Sequence, residues 1–414
     1  MSVLTQLPTQ PPTRLPARLP GVVGADVTVP VEAGPVEDGP VEDGRIEGGY
    51  VAYANLDHAA SAPCLTAVRD AVTRALPYYS SVHRGAGHLS QVTTAAYEEA
   101  RETVRDYLGG PQAVVFVRNT TDAFALLARA VPSGTSVVVF DSEHHAAQLP
   151  WRNAVRLAPP ASPQAAVAAA REALISCPGG PRLLVVTAAS NVTGELWPIR
   201  ELAEVAHACG ARIAVDAAQL VAHRPLDASE LDYVAFSGHK MYAPFGVGVL
   251  AGRSDWLRAA APYLRGGGAS QSVAPGGRVV WKVDAEARHE GGTPNVLGAL
   301  ALAAACRELS DWSAVVSHES RLLSRLRDGL ATVAGVRELS LFGPDHPRVG
   351  IATFTVEGRS ARDVAEWLSR RHGIGVRDGK FCAHPLVSHL LGETGAAGSV
   401  GSVGSGGSGG SVGS

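Results

Sequence analysis

Charged residues are scarce in this chain of 414 residues: 18% are charged, while 46% are hydrophobic. The formal net charge is −3, so the chain lacks the basic surplus with which proteins bind nucleic acids or acidic membranes. No apolar run reaches the length of a membrane span, and the proline-rich N-terminus lacks the continuous apolar segment of an export signal. These absences favour a globular protein whose partner is a small molecule.

Cysteine is also sparse, with five residues, none of them in a CxxC pair. The odd count and wide spacing argue against a complete disulfide framework, so we expect a reducing, cytoplasmic environment. A glycine-rich GxGxxG turn after an early strand is missing as well, which disfavours a nicotinamide-dependent dehydrogenase. Because an isolated cysteine is most often a small buried apolar residue, we interpret four of the five in this way: Cys64, Cys177, Cys209 and Cys306.

Four segments differ in composition. Residues 1–49 are rich in proline and glycine and contain the duplication GPVEDGPVEDG, which predicts an arm or a turn between short strands. Over residues 50–311, apolar runs such as RLLVVTAA alternate with helical patterns, which predicts a large domain with a parallel sheet covered on both faces. Residues 312–392, with a strand at VGIATFTV, predict a small α+β domain. Residues 393–414 have the composition of a flexible glycine/serine linker.

Polar residues cluster directly after the apolar runs, where open α/β sheets bind their ligands. Thr120 and Thr121 precede a predicted helix, so they either cap it or contribute to a phosphate site at its N-terminus. His144 and His145 follow an acidic residue, but adjacent side chains diverge, so we predict no metal site and favour an imidazole against an aromatic cofactor. Asp216 ends the run RIAVD and needs a cationic partner or a protonated ring nitrogen.

Lys240 lies where the strand YVAFS runs into a glycine-rich turn. A lysine can form a Schiff base with an aldehyde, and pyridoxal phosphate requires such a lysine, an acid for its pyridine nitrogen and a phosphate site. The residues after the predicted strands offer all three groups.

Eight motifs resemble those of class V aminotransferase-fold enzymes, and within that family those of the cysteine desulfurases and the selenocysteine lyase-like branch. They read NLDHAASAP, VHRGAGHLS, RNTTDA, EHHAAQLPW, SNVTG, DAAQ, SGHKMYAPFGVG and EGGTPN, and the resemblance extends over about residues 55–389 in the family's order. The resemblance implies a pyridoxal-phosphate fold of type I, the aspartate aminotransferase-like fold. Its large domain would have a mostly parallel, seven-stranded sheet, next to a small α+β domain.

The resemblance also implies roles for individual residues. Lys240 would bond covalently to the cofactor, Asp216 would hold the pyridine nitrogen, and Gln219 would bond the phenolic oxygen. His144 would stack on the ring and take part in catalysis. The other implied cofactor contacts are Thr120, Thr121, Ser237, His239 and Asn191. In this family the site lies at a dimer interface, so Gly292 and Thr293 would reach the partner's phosphate and a homodimer is implied.

The stretch VRDGKFCAHPL resembles the segment in which the desulfurases carry a substrate-binding arginine and, five residues later, the cysteine that accepts sulfur. These positions are Arg377 and Cys382. A second arginine and a closing C-terminal helix, usual in the family, are missing, so the small domain is expected to be incomplete and to expose an edge. Carboxylate binding would then rest on Arg377 with four further candidates: Asn191, Ala59, Ala60 and Arg84.

Three functions are therefore compatible with the sequence. The first is a desulfurase that converts L-cysteine or selenocysteine to L-alanine and passes the sulfur to Cys382 as a persulfide, with a possible sulfur-acceptor protein as partner. The second is another pyridoxal enzyme, a carbon–sulfur lyase or an aminotransferase, in which Cys382 is dispensable. The third is a protein that binds pyridoxal phosphate without turnover because the C-terminal element is absent.

Overall fold

The computed structural model of the chain describes residues 21–31 and 49–393. The duplicated GPVEDGPVEDG stretch and the glycine/serine segment from residue 394 onward lie outside the described residues, as do the predictions made for them. No helix within the described ranges is both long enough and apolar enough to cross a membrane.

A seven-stranded sheet forms the centre of the molecule. Its strands, in spatial order, are β4 (Ala113–Val117), β10 (Gly248–Gly252), β9 (Tyr233–Ser237), β8 (Arg212–Asp216), β7 (Arg182–Thr187), β5 (Ser136–Phe140) and β6 (Val155–Leu157). Strand β10 runs antiparallel to both of its neighbours, and the other pairs are parallel. The predicted mostly parallel sheet is therefore confirmed. Because β4, β5, β7, β8 and β9 share one direction, their carboxyl ends meet at one edge.

Helices cover both faces of this sheet, as the apolar runs predict. Val186, Val215 and Phe236 point into one core, which also contains Leu174 and Leu202 from two of the helices. Val185, Ala214 and Ala235, the neighbours along the same strands, point into a second core with Phe124 and Leu257. Alternate residues of one strand are thus buried on opposite faces, which is why these strands read as continuous apolar runs.

The helices are α1 (Thr66–Ala75), α2 (His88–Tyr107), α3 (Thr120–Ala130), α4 (His145–Gln148), α5 (Pro163–Ser176), α6 (Ile199–Ala208), α7 (Ser254–Ala259), α8 (Ala285–His289), α9 (Val296–Glu308), α10 (Trp312–Ala331), α11 (Ala361–His372) and α12 (His384–Leu391). The strands outside the central sheet form pairs: β1 (Thr28–Pro30) with β2 (Tyr50–Ala52), β11 (Ser270–Val273) with β12 (Val279–Trp281), β13 (Val336–Glu338) with β14 (Phe354–Val356), and β3 (Ala54–Asn55) with β15 (Ile374–Gly375).

The strand predicted at VGIATFTV is shorter than expected, because only its last part forms β14. Val349 and Ile351 are buried in the core of the large sheet instead. The backbone N–H of Val349 donates to the carbonyl of Gly194 at 2.9 Å, so this half of the run is bonded to the loop after β7. The run therefore leads from the loop after β7 into β14 rather than forming one strand.

Candidate functional site

The start of α3 packs directly against the end of β9. Thr120 Oγ1 lies 2.6 Å from Ser237 Oγ, and the backbone N–H of Thr120 donates to the same oxygen at 2.8 Å. Gly248 makes this approach possible, since a Cβ added there would lie 2.5 Å from the Cα of Asn119. Asn119 caps the helix by accepting the N–H of Asp122 at 3.0 Å. Two hydroxyls at a helix N-terminus are suited to bind an anion.

Asp216 ends β8 with its side chain buried, 5% of the residue being exposed. Its carboxylate accepts the backbone N–H of Ala218 at 3.0 Å. Burial raises the pKa of Asp216, whereas this hydrogen bond and the charge of Lys240 oppose the rise. Few groups offset the cost of burying this charge, so the carboxylate is suited to accept a hydrogen bond from a further N–H donor.

Lys240 ends a single 3₁₀ turn, Gly238–Lys240, directly after β9. Burial lowers the pKa of Lys240, and the nearby Asp216 carboxylate opposes that effect. A lowered pKa increases the fraction of neutral amine, which is the nucleophilic form. The backbone carbonyl of His239 accepts the N–H of Ala62 at 2.9 Å, so the segment that follows β3 lies against this turn.

His144 lies between β5 and α4 and caps that helix, because its Nδ1 accepts the N–H of Ala146 at 3.1 Å. Burial lowers the pKa of His144 to about 4, helped by the positive charges of Lys240, His145 and Arg377. The ring is therefore neutral near pH 7. A neutral, flat ring beside the lysine is consistent with the predicted stacking.

Arg377 is exposed and lies close enough to the site to act on its charges. Its guanidinium lowers the pKa of His144 and of Lys240, and it opposes the rise that burial causes in the pKa of Asp57. The structure therefore brings Arg377 to the region of the lysine, where a substrate carboxylate would need a cation.

Cys382 is exposed, while its neighbour Ala383 is fully buried. Phe381 and Cys382 both adopt the left-handed conformation, with φ of 50° and 54°. This region costs a non-glycine residue roughly 1–2 kcal/mol, so the surrounding structure must stabilise the turn. The carbonyl of Phe381 accepts Asn191 Nδ2 at 2.8 Å, and the carbonyl of Cys382 accepts the N–H of His145 at 2.8 Å.

The other predicted residues occupy varied positions. Gln219 is buried and its Nε2 donates to the carbonyl of Ala59 at 2.9 Å, while Ala60 donates its N–H to Asp57 in a tight turn. Thr121 and Thr293 are exposed, and their contacts with a cofactor stay predictions.

The interpretation of four cysteines as buried is confirmed for two and wrong for two. Cys177 and Cys306 are buried. Cys64 and Cys209 are half-buried, because Cys64 lies in the segment before α1 and Cys209 directly follows α6 at the rim of the core.

Glu143 is a residue whose role the sequence left unassigned, although it opens the EHHAAQLPW motif. It is fully buried, and within the described ranges neither of its carboxyl oxygens has a hydrogen-bond partner. Burial and the adjacent Asp216 carboxylate raise the pKa of Glu143 well above its usual range. The backbone of Thr187 opposes this rise, although it does not meet the geometry of a hydrogen bond to either carboxyl oxygen. Glu143 is therefore held as a neutral acid next to Asp216. Its polar neighbours in the stretch DSEHH gave no sign of this burial.

The unfolding free energy of Glu143→Gln, relative to that of the wild type, is expected to increase as the pH rises. Above about pH 4.3 the unfolded carboxyl releases its proton while the folded one retains it. The wild-type unfolding free energy should therefore fall relative to Glu143→Gln by up to ~1.4 kcal/mol per pH unit, until the folded carboxyl also titrates. Urea unfolding between about pH 5 and about pH 7 measures this difference. Glu308→Gln, at an exposed position, controls for the loss of one acid. A difference in unfolding free energy between Glu143→Gln and the wild type that stays constant with pH would contradict the neutral state assigned to Glu143.

The EGGTPN loop is tied to the large sheet by a buried ion pair. Arg101 donates to both carboxylate oxygens of Glu290, at 2.6 and 2.9 Å, and the N–H of Phe116 also donates to Glu290 at 2.8 Å. Arg84 Nη2 donates to the carbonyl of Gly292 at 2.9 Å. Arg84 is thus bonded to this loop, and its predicted contact with substrate stays a prediction.

Replacing Glu290 by glutamine is expected to lower the unfolding free energy by up to about 3–5 kcal/mol, because the Arg101 charge would lose its buried partner and keep only the more exposed Glu98. The side chains of Arg101 and Glu290 are only 4% and 7% exposed, so water cannot compensate for the loss. Urea unfolding tests this, with the exposed pair variant Glu204→Gln as the matched control. A loss no larger than in that control would contradict the role given to the pair.

These groups fit pyridoxal phosphate. The buried Asp216 carboxylate offers an acceptor for a ring N–H, Lys240 an amine with a lowered pKa, and His144 a neutral ring. Thr120 and Ser237 place two hydroxyls at the N-terminus of α3, where a phosphate would be held.

Comparison with known proteins agrees with this arrangement. The family model described as aminotransferase class-V matches residues 54–400. The cysteine desulfurase of Dickeya dadantii is 38% identical over 354 residues, covering 81% of this chain and 84% of the relative. A cysteine desulfurase of Klebsiella pneumoniae is 36% identical, with coverage of 81% and 85%.

Two solved structures are similar along most of the chain. The apo cysteine desulfurase of Thermococcus onnurineus superposes with a TM-score of 0.73 at 30% identity, covering 82% of this chain and 87% of that one. The cysteine desulfurase CsdA of Escherichia coli, in an S-sulfonic acid form, superposes with a TM-score of 0.71 at 32% identity and the same coverage. The chain therefore belongs to the class V aminotransferase family and is an enzyme that depends on pyridoxal phosphate.

Proposed function

We propose that this protein is a cysteine desulfurase that converts L-cysteine, or selenocysteine, to L-alanine. The observation that carries the proposal is the exposed Cys382 thiol, held on a left-handed turn that is hydrogen-bonded to residues following β5 and β7. Relatives that are 38% and 36% identical are cysteine desulfurases, which supports the same reaction here. A lyase or aminotransferase would not need a nucleophile at this position.

The residues of the site can each take a part in this reaction. Bound pyridoxal phosphate withdraws electrons from the substrate's α-carbon and thereby weakens the bonds around it. Lys240 would bond covalently to the cofactor and, once released, move the α-proton as general base. Arg377 would bind the substrate carboxylate, and Asp216 would keep its charge opposite the ring nitrogen.

The sulfur step balances when Cys382 acts as a thiolate. Its Sγ attacks the substrate sulfur, the bond between that sulfur and Cβ breaks, and the electron pair stays with carbon, which takes up a proton to give alanine. The sulfur remains on Cys382 as a persulfide. Its release as sulfide requires two electrons from an external thiol, and a sulfur-acceptor protein would take it directly.

We also propose a homodimer, a division into two domains and a cytoplasmic location for this protein. Gly292 and Thr293 are exposed, as they must be to reach a partner's phosphate in a homodimer. We divide the chain into a large domain over residues 50–311 and a small domain over residues 312–392, although β3 pairs with β15 across this division. All five cysteines are unpaired, which suits a reducing cytoplasm.

Product analysis tests the proposed function. The purified chain is incubated with pyridoxal phosphate, L-cysteine and a dithiol, and alanine and sulfide are quantified. We expect both products in equal amounts. Pyruvate or another keto acid in place of alanine would show a lyase or an aminotransferase instead.

A further inference from the structure

The Phe381–Cys382 turn belongs to the segment between β15 and α12, but its two hydrogen bonds come from the central sheet. Asn191 follows β7, and its Nδ2 donates to the carbonyl of Phe381 at 2.8 Å. His145 begins α4 after β5, and its backbone N–H donates to the carbonyl of Cys382 at 2.8 Å. Two consecutive carbonyls are thus held by donors that follow two neighbouring parallel strands, β7 and β5.

These two bonds are placed where the backbone needs support. Left-handed φ values are unfavourable for a phenylalanine and a cysteine, so the turn would relax to an ordinary conformation without external donors. Relaxation would rotate the peptide between the two residues and turn the thiol in another direction. The half-buried Phe381 ring packs against the large core and fixes one side of the turn.

The other hydrogen bonds of residues 380–383 stay within this segment or reach α12 and the residues after it. Lys380 Nζ donates to Ser388 Oγ at 2.9 Å and to Glu393 Oε2 at 2.7 Å, so its side chain is bonded to α12 and the residues after it. Ala383 donates its N–H to the carbonyl of Lys380 at 2.8 Å, a bond within the segment itself. Among these contacts, those of Asn191 and His145 alone join the turn to the strand ends where Asp216 and Lys240 lie.

We propose that the Asn191 amide and the His145 backbone N–H act together as a clamp that sets the direction of the Cys382 thiol. Asn191 is then a positioning residue for the sulfur-accepting cysteine rather than a contact of cofactor or substrate. The inference rests on the proposed function of Cys382. It predicts that loss of the Asn191 donor impairs sulfur transfer more than substrate binding.

The test compares Asn191→Asp, which keeps the shape but lacks the N–H donor, and Asn191→Ala with the wild-type holoenzyme. Lys380→Ala is the control, because it removes side-chain contacts of the same segment without touching the clamp. Amide hydrogen exchange without substrate is followed in residues 143–149 and 379–384. The values of kcat and KM for alanine formation and the absorbance of the bound cofactor are measured on the same samples.

Both Asn191 variants are expected to speed exchange in the two segments about tenfold, which corresponds to one lost hydrogen bond. We expect kcat to fall at least about tenfold with KM changed less than about twofold. Cofactor absorbance should stay as in the wild type, and Lys380→Ala should leave exchange in residues 143–149 unchanged.

Unchanged exchange, or a raised KM with unchanged kcat, would overturn the clamp and leave Asn191 as a substrate contact. The exchange measurement needs no turnover, so it decides on the clamp even if the wild-type chain forms no alanine. The absence of alanine formation by the wild-type chain would overturn the proposed function and leave the clamp untouched.

Discussion

Replacing Lys240 by alanine is expected to lower the rate of alanine formation from L-cysteine at least about 10⁴-fold, the upper end of what a positioned acid–base group contributes. The physical reason is that the proposed function gives Lys240 two tasks, as covalent anchor of the cofactor and as general base. Its lowered pKa favours the neutral amine that both tasks need. Lys240→Arg should be equally inactive, because a guanidinium keeps the charge but cannot act as the amine.

The lysine content of the chain makes this prediction easy to control. Lys240, Lys282 and Lys380 are its only lysines. Reduction of the holoenzyme with borohydride, followed by peptide mass spectrometry, should label Lys240 and neither of the others. Lys282→Ala should keep both turnover and the label. Substantial alanine formation by Lys240→Ala would refute the role assigned to this residue.

Replacing Cys382 by alanine is expected to abolish sulfur transfer and to lower alanine formation by roughly 10²–10⁴-fold, as expected when a reacting side chain is removed. The cofactor should still bind, since the contacts proposed for it, Asp216, His144 and Lys240, do not involve the thiol. The measurement is the rate of alanine formation, read beside the absorbance of the bound cofactor.

Cys64→Ala is the matched control for that loss, because Cys64 is half-buried and packs against Val68 and its neighbours rather than in the site. It should retain wild-type turnover. If Cys382→Ala retained full sulfur transfer as well, the nucleophile would have to be another group.

The parts of the fold that are predictable from sequence depend on local patterns. The runs RLLVVTAA and RIAVDAA predict β7 and β8, because strands buried on both faces show no alternation of polar residues. Asp216 and Lys240 follow directly from this, since polar groups at the carboxyl ends of parallel strands are brought to one edge. The mostly parallel sheet and the pyridoxal-phosphate enzyme were both predicted in this way, the second with the help of the family resemblance.

The other features depend on contacts between distant residues, which no local pattern reveals. Asn191 and Phe381 are separated by 190 positions, and their hydrogen bond requires both the loop after β7 and the left-handed turn. The close approach of Gly248 to Asn119 likewise appears only when β10 is placed beside β4. The burial of Glu143 next to Asp216 also requires the packed sheet, because its sequence neighbours in DSEHH are polar.

A single turnover in the absence of any reductant tests whether Cys382 accepts the sulfur of the substrate. The holoenzyme is mixed with limiting L-cysteine, alanine is quantified, and the peptide that contains Cys382 is analysed by mass spectrometry. We predict that each alanine formed is matched by one extra sulfur atom on Cys382. Alanine formation with Cys382 unmodified and the sulfur on another residue or in solution would contradict the account.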